Sequence, residues 1–118
     1  MSDTLKVIYK ICQRQDWEEA HTAGIYTGAP VDLADGFIHF SSADQVAETA
    51  AKHFAGQEGL VLLAVDANVL GDELRWEVSR GGALFPHLYA SMPASAVLEV
   101  HDLPWNGKAH DFPEGVLA

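Results

Sequence analysis

The feature that most constrains the fold is an unbroken apolar run near the middle of the chain, residues 60–65. Successive side chains of a strand point to opposite faces of its sheet, so a strand that is apolar throughout must be covered on both faces. The run therefore predicts a central strand with other elements packed on either side. It is far shorter than the roughly 20 apolar residues that span a bilayer, so no membrane segment is expected.

The remaining patterns predict short strands and two helices around that central strand. Alternating apolar residues predict strands at 5–11 and 73–79. Helices are expected at about 14–23 and from the capping residues Ser41 and Ser42 to about residue 55. Further expectations are short strands at 37–40 and 96–103, a surface loop at 25–34, an edge strand or tight loop at 85–89, and a loosely attached tail at 104–118.

The order of these elements favours an α+β fold with a small mixed or antiparallel sheet, because strands and helices do not alternate regularly. The length of 118 residues predicts a single domain over 1–118, since domains cluster at about 100–150 residues. The core of that domain is expected over about 5–103.

The excess of acidic over basic residues disfavours some classes of binding partner for this chain. Seventeen Asp and Glu residues outweigh seven Lys and Arg residues, which gives a formal charge of −10 at pH 7. Nucleic acids and anionic membranes are bound through clustered Lys and Arg, so neither partner is expected. The single cysteine, Cys12, excludes an internal disulfide, and the first residues do not have the pattern of a signal peptide. These observations predict a soluble, acidic, cytoplasmic protein, and they leave its oligomeric state open.

The sequence also lacks several familiar catalytic motifs. Its six histidines are not spaced as ligands on one helix or strand, so no metal site is expected. Neither a Gly-x-Ser-x-Gly elbow nor a glycine-rich phosphate loop occurs. Cys12 is most simply a small buried apolar residue rather than a nucleophile.

Three positions place polar side chains in apolar surroundings. His39 lies in a short apolar strand directly before a helix N-terminus, which favours phosphate or ribose oxygens; the alternative is a histidine that is hydrogen-bonded inside the core. His87 and Tyr89 share a face if extended, or belong to a proline-braced edge. Glu77 is either exposed to solvent or placed to orient a hydroxyl or polarise a reacting bond.

Four motifs, in this order along the chain, resemble the bacterial domain of unknown function 952 family, and the resemblance covers about 7–103. The motifs are Ile8-Tyr9-Lys10-Ile11, Asp32-Leu33-Ala34-Asp35-Gly36-Phe37-Ile38-His39-Phe40-Ser41, Leu74-Arg75-Trp76-Glu77 and Phe85-Pro86-His87-Leu88-Tyr89. The chain departs from the family's pattern at Ala90, where glycine is usual, and at Lys10, where many members carry histidine. The resemblance implies an ADP-ribosyltransferase-like α+β fold, in which a split sheet holds NAD in a cleft.

The resemblance also implies roles for residues of the first two motifs. The segment from Gly36 onward looks like the transferase signature of a strand, a serine and a helix. It places His39 at the position that stacks on a ring or contacts the ribose, and Ser41 or Ser42 at the ribose-contacting serine. Tyr9 or Lys10 would take the first-strand position, where Lys10 would contact a pyrophosphate as a point charge.

The last two motifs complete the implied site. Glu77 matches the glutamate that orients the ribose, and His87 and Tyr89 would line the same cleft. One hypothesis is an enzyme that transfers ADP-ribose or cleaves NAD, with Glu77 and His39 as catalytic residues and NAD as substrate. A carboxylate near the ribose would stabilise the positive charge that develops as nicotinamide leaves. The alternative is a non-catalytic module that binds a small ligand or a protein on the same fold.

Overall fold

The computed structural model describes residues 6–116, apart from the side chain of Arg80. The strands in this range are β1 (Val7–Gln13), β2 (Ile25–Tyr26), β3 (Ile38–His39), β4 (Leu60–Asp66), β5 (Leu74–Val78), β6 (Leu84–Leu88), β7 (Met92–Pro93) and β8 (Val97–Leu103). The α-helices are α1 (Arg14–Ala23), α2 (Pro30–Asp35) and α3 (Val46–His53), and short 3-10 turns lie at Ala67–Glu73, Arg80–Gly82 and Ala94–Ala96. Leu5, the predicted start of the first strand, lies outside the described residues.

The apolar run forms the central strand that its composition predicts. Strand β4 pairs with β1 on one side and β8 on the other, both antiparallel. Alternate side chains of β4 enter two different cores: Val61 and Leu63 pack in one, whereas Leu60 and Leu62 pack in the other with Val46 of α3. The two-sided cover explains why every residue of the run is apolar.

A second three-stranded sheet has the order β3-β6-β5 and is also antiparallel. The prediction of an edge strand or tight loop at 85–89 is therefore wrong, because β6 lies at the centre of this sheet. Pro86 suggested an edge since proline donates no hydrogen bond. The carbonyl oxygen of Pro86 nevertheless accepts from Phe40 N at 3.0 Å. Because the two-residue β3 ends at this point, the N–H that proline lacks removes little of the hydrogen bonding between β3 and β6.

The two larger sheets meet at one antiparallel bridge between Tyr9 and Ser41. Tyr9 N donates to Ser41 O at 2.8 Å, and Ser41 N donates back to Tyr9 O at 2.9 Å. Tyr9 and Ser41 also line the cleft described below. The strands β2 and β7 form a separate two-stranded pair.

Two segments expected to be irregular are ordered and packed. The predicted loop at 25–34 contains β2 and most of α2. The expectation of a loose tail is wrong for the described part, because Val116 is buried in the core beside β4 and His110 Nε2 is 2.9 Å from Gln57 O. The α+β class and the antiparallel sheets are confirmed. In the range 6–116, none of the helices is long and apolar enough to cross a membrane.

Candidate functional site

A cleft of about 530 Å³ lies between the two larger sheets. Its wall carries polar side chains from β1, α2, β3, α3 and β6 and from two connecting segments: Tyr9, Lys10, Asp35, His39, Ser41, Thr49, His53, Ser79 and His87. Apolar contact surface is supplied by Phe40, Phe54 and Phe85. A mostly apolar wall with a few converging polar groups is typical of sites that bind small molecules.

Strand pairing brings two histidines side by side on this wall, with one ring edge-on to the other. His39 of β3 and His87 of β6 are register partners, so their side chains emerge on the same face of the sheet. Their ring centroids are 5.5 Å apart. Phe37 stacks on His87 at 4.2 Å and contacts His39 at 4.6 Å, which limits the rotation of both imidazoles.

A buried carboxylate, Asp32, holds His39 in place. Asp32 lies in the first turn of α2 and is only 1% exposed. Its Oδ1 is 2.6 Å from His39 Nδ1 and accepts from His39 N at 3.0 Å, while its Oδ2 accepts from Ala29 N at 2.7 Å and is 2.8 Å from Lys10 Nζ. Burial alone raises the pKa of Asp32, but the bonds from His39 and Lys10 outweigh burial and lower the pKa to about 2.

The other ring nitrogen of His39 also faces a carboxylate. His39 Nε2 is 3.0 Å from Asp35 Oδ2, at the end of α2. A carboxylate accepts and does not donate when ionised, so two such neighbours require an N–H on each ring nitrogen. The imidazolium form of His39, which has an N–H on each ring nitrogen, would satisfy both carboxylates.

His87 has a different arrangement, with one carboxylate and one available nitrogen. His87 Nδ1 is 2.9 Å from Glu77 Oε1, which also accepts from the Tyr89 hydroxyl at 2.7 Å. The bonds from His87 and Tyr89 hold the pKa of the Glu77 carboxyl below its usual range, and the bond to Glu77 raises the pKa of Tyr89. With Nδ1 donating to Glu77, Nε2 of His87 is the ring atom available to a ligand.

The remaining expected site residues divide into two groups. Tyr9 and Ser41 line the cleft, and Ser41 Oγ is 3.0 Å from Thr49 Oγ1. Burial and the nearby Glu99 raise the pKa of Tyr9. Ser42 does not line the cleft and its hydroxyl donates to Asp44, so of the two serines only Ser41 can meet a ligand there.

Two of the expected contacts differ from what the resemblance implied. Glu77 and Tyr89 are not among the residues that line the cleft, and Glu77 is connected to it through its contact with His87. Lys10 lines the cleft, but its ammonium is buried and paired with Asp32, and does not stand free to meet a pyrophosphate.

Sequence reasoning missed Asp32 and Asp35 as functional candidates. The available signal was Pro30 two residues before Asp32, because proline is favoured in the first turn of a helix and a carboxylate there accepts backbone N–H groups. The two carboxylates flank a short helix where a loop was expected. In the described residues, no three His, Cys, Asp or Glu side chains converge as a metal ion would require.

Comparison with known proteins agrees with the motifs in the sequence. A family model described as a protein of unknown function (DUF952) matches residues 11–100. The chain belongs to this family. The match covers the cleft histidines His39, His53 and His87 and the carboxylates that contact His39 and His87, so the DUF952 region contains most of the candidate site.

The structure is similar to that of a protein from the bacterium Caulobacter crescentus. The crystal structure of protein CC0527 from Caulobacter crescentus is 48% identical in sequence, with a TM-score of 0.90 over 95% of this chain and 99% of that chain. The solution NMR structure of CC0527 is 52% identical over 88% of this chain and 90% of that chain, with a TM-score of 0.78. Among curated proteins no match to the DUF952 chain is found.

Proposed function

We propose that the cleft binds a small ligand of the NAD or ADP-ribose type on an ADP-ribosyltransferase-like split sheet, and that His39 and His87 act on it as an acid–base pair. The observation that carries this proposal is the pair of imidazoles 5.5 Å apart, each fixed by its own carboxylate. The volume of about 530 Å³ falls within the range of roughly 300–1,000 Å³ for small-molecule sites.

The two histidines have complementary protonation states. His39 donates from both ring nitrogens and is the cation of the pair, suited to hydrogen-bond an anionic or developing negative oxygen. His87 keeps a proton on Nδ1 for Glu77, which leaves the lone pair of Nε2 to accept a proton. Asp32 and Glu77 are positioning residues in this scheme, because they act on the ligand through the imidazoles that they hold.

Cleavage of NAD uses these groups in a balanced step. The bond between nicotinamide and ribose breaks, and nicotinamide leaves as a neutral molecule with the bonding electron pair. A water oxygen forms the new bond to the ribose carbon, and the proton that it releases passes to His87 Nε2. Asp35, a carboxylate on the cleft wall, takes the charge-stabilising role that the sequence assigned to Glu77, because positive charge develops on the ribose.

Ligand-observed NMR with NAD, ADP-ribose and nicotinamide, followed over hours for free nicotinamide, tests the proposal. Wild-type protein is compared with His39→Ala, His87→Ala and Glu77→Ala, and with His21→Ala, an exposed histidine of α1, as control. We expect binding and nicotinamide release by wild type and by the His21 variant, with both lost in the cleft variants. Failure of folded wild type to bind any of the three compounds would refute the NAD-type ligand.

A non-catalytic module is the second candidate, and the pairing of Lys10 with Asp32 favours it. In this protein the first-strand cation is neutralised by Asp32 at 2.8 Å, whereas a transferase would use a cation there to hold its substrate. Binding of ADP-ribose by wild type without release of nicotinamide from NAD would select the module over the enzyme.

A further inference from the structure

Two basic side chains, Lys10 and His39, meet at one buried carboxylate, Asp32. Lys10 is 5% exposed and Asp32 is 1% exposed. The Lys10 ammonium and the His39 imidazolium both bind Asp32, which contributes only one negative charge. With His39 in its imidazolium form, the cluster of Lys10, Asp32 and His39 carries a net charge of +1, and an anion beside it is favourable.

Asp35 is the anion that currently balances this cluster. Its carboxylate lies on the cleft wall and contacts His39 Nε2 at 3.0 Å, but its side chain is 48% exposed. Asp35 is the last residue of α2 and precedes Gly36, whose φ of 87° ends the helix. An exposed side chain at a helix end is displaced at low cost, whereas the buried cluster behind it is fixed by several bonds.

We infer that Asp35 holds the place of the ligand's oxyanion: the cleft takes a ligand with a phosphate or carboxylate group, one oxygen of which replaces Asp35 Oδ2 at His39 Nε2. The exchange preserves the charge balance of the cluster, and Ser41 and Tyr9 supply hydroxyl groups on the same wall. The inference rests on the proposed function and defines it further, since the pyrophosphate of an ADP-ribose-type ligand would supply the oxyanion.

Titration with inorganic phosphate, pyrophosphate and succinate tests this subsite, and the three probes distinguish a phosphate from a carboxylate preference. The decisive variant is Asp35→Asn, which removes the competing charge. Its matched control is Asp72→Asn, because Asp72 is exposed, lies outside the cleft wall and changes the net charge equally. We expect Asp35→Asn to bind the preferred probe roughly tenfold more tightly than wild type, with Asp72→Asn within about twofold of wild type.

The ring nitrogen-15 resonances of His39 provide the second readout. We expect the preferred probe to shift the Nε2 resonance much more than the Nδ1 resonance, which stays bonded to Asp32. Equal affinities of the two asparagine variants, or anion binding that leaves His39 Nε2 unchanged, would overturn the inference.

These results also separate the two proposals. ADP-ribose binding with no gain from Asp35→Asn refutes the oxyanion subsite and leaves the proposed ligand class standing. Tighter binding of pyrophosphate by Asp35→Asn, in a protein that binds neither NAD nor ADP-ribose, supports the subsite and refutes the NAD-type ligand.

Discussion

Replacing Asp32 with asparagine removes the negative charge that lies between two cationic side chains. The Lys10 ammonium is 2.8 Å and the His39 ring nitrogen 2.6 Å from its carboxylate oxygens. The amide preserves the shape of the side chain, so the change is mainly electrostatic. Leaving a buried ion without its partner costs about 3–5 kcal/mol, and we expect Asp32→Asn to lower the free energy of unfolding by that amount. At roughly 4 °C per kcal/mol, its Tm falls by roughly 12–20 °C.

A double-mutant cycle with Lys10→Met tests the electrostatic origin of this loss. Urea unfolding at pH 7, followed by tryptophan fluorescence, gives the free energy for each variant. Lys10→Met/Asp32→Asn no longer buries an unpaired ammonium, so we expect it to be about 1–2 kcal/mol more stable than Asp32→Asn alone. The exposed pair of Glu48 and Lys52 is the control, and Glu48→Gln should change stability by less than about 0.5 kcal/mol.

Acid titration gives an independent measure of the stability that the ionised Asp32 carboxylate contributes. Burial raises the pKa of Asp32, yet the bonds from His39 and Lys10 lower it to about 2, below its ordinary value of 3.8. Because the folded pKa is the lower one, the stabilisation is complete above about pH 4 and is lost as the pH falls through 2. The shift corresponds to about 2.5 kcal/mol, which wild type should lose in this range and Asp32→Asn should not.

Two results would refute this reasoning. The first is an Asp32→Asn variant whose free energy of unfolding lies within about 1 kcal/mol of the wild-type value. That result would mean that the Asp32 charge does not stabilise Lys10 and His39. The second is a double variant that loses the full sum of the two single losses, because independent contributions would show that Lys10 and Asp32 do not interact.

Three further predictions concern the site and the packed tail. Gly28→Ala should cost more stability than Gly24→Ala by differential scanning calorimetry, since both have positive φ but only at Gly28 would a Cβ lie 2.8 Å from the Asp32 Cβ. Glu77→Gln should reduce nicotinamide release roughly tenfold to a hundredfold, whereas Tyr89→Phe, which keeps the bond from His87 to Glu77, should have a much smaller effect. Val116→Ala should lower the free energy of unfolding by about 1.5 kcal/mol, because Val116 packs in the core beside β4; no change in urea unfolding would mean that the tail is loosely attached.

The parts of the fold that depend on local pattern were predictable. The run at β4 needs cover on both faces whatever its neighbours are, and α1 ends at Gly24, where its φ of 84° suits glycine. The central position of β6 was not predictable. Pro86 is typical of an edge strand, whereas the position of β6 depends on its pairing with β3 and β5, which are distant in the sequence.

In the candidate site, too, local sequence pattern predicts some features and long-range strand pairing determines the others. His39 and His87 stand out in the sequence as polar residues in apolar strands, but only the register of β3 and β6 brings their rings together. Asp32 falls in the segment predicted to be a surface loop and Asp35 directly follows that segment, and the local pattern does not reveal that Asp32 is buried beside Lys10. The contact of Glu77 with His87 arises from the pairing of β5 with β6, which leaves Glu77 outside the cleft.

The nitrogen-15 spectrum of the imidazole rings at neutral pH, recorded with and without ADP-ribose, tests the central claim most directly. We predict that His39 is protonated on both ring nitrogens, that His87 is protonated on Nδ1 alone, and that ADP-ribose shifts Nε2 of both rings. A neutral His39, together with ring resonances of both histidines that ADP-ribose leaves unchanged, would contradict the assignment of this cleft as an acid–base site.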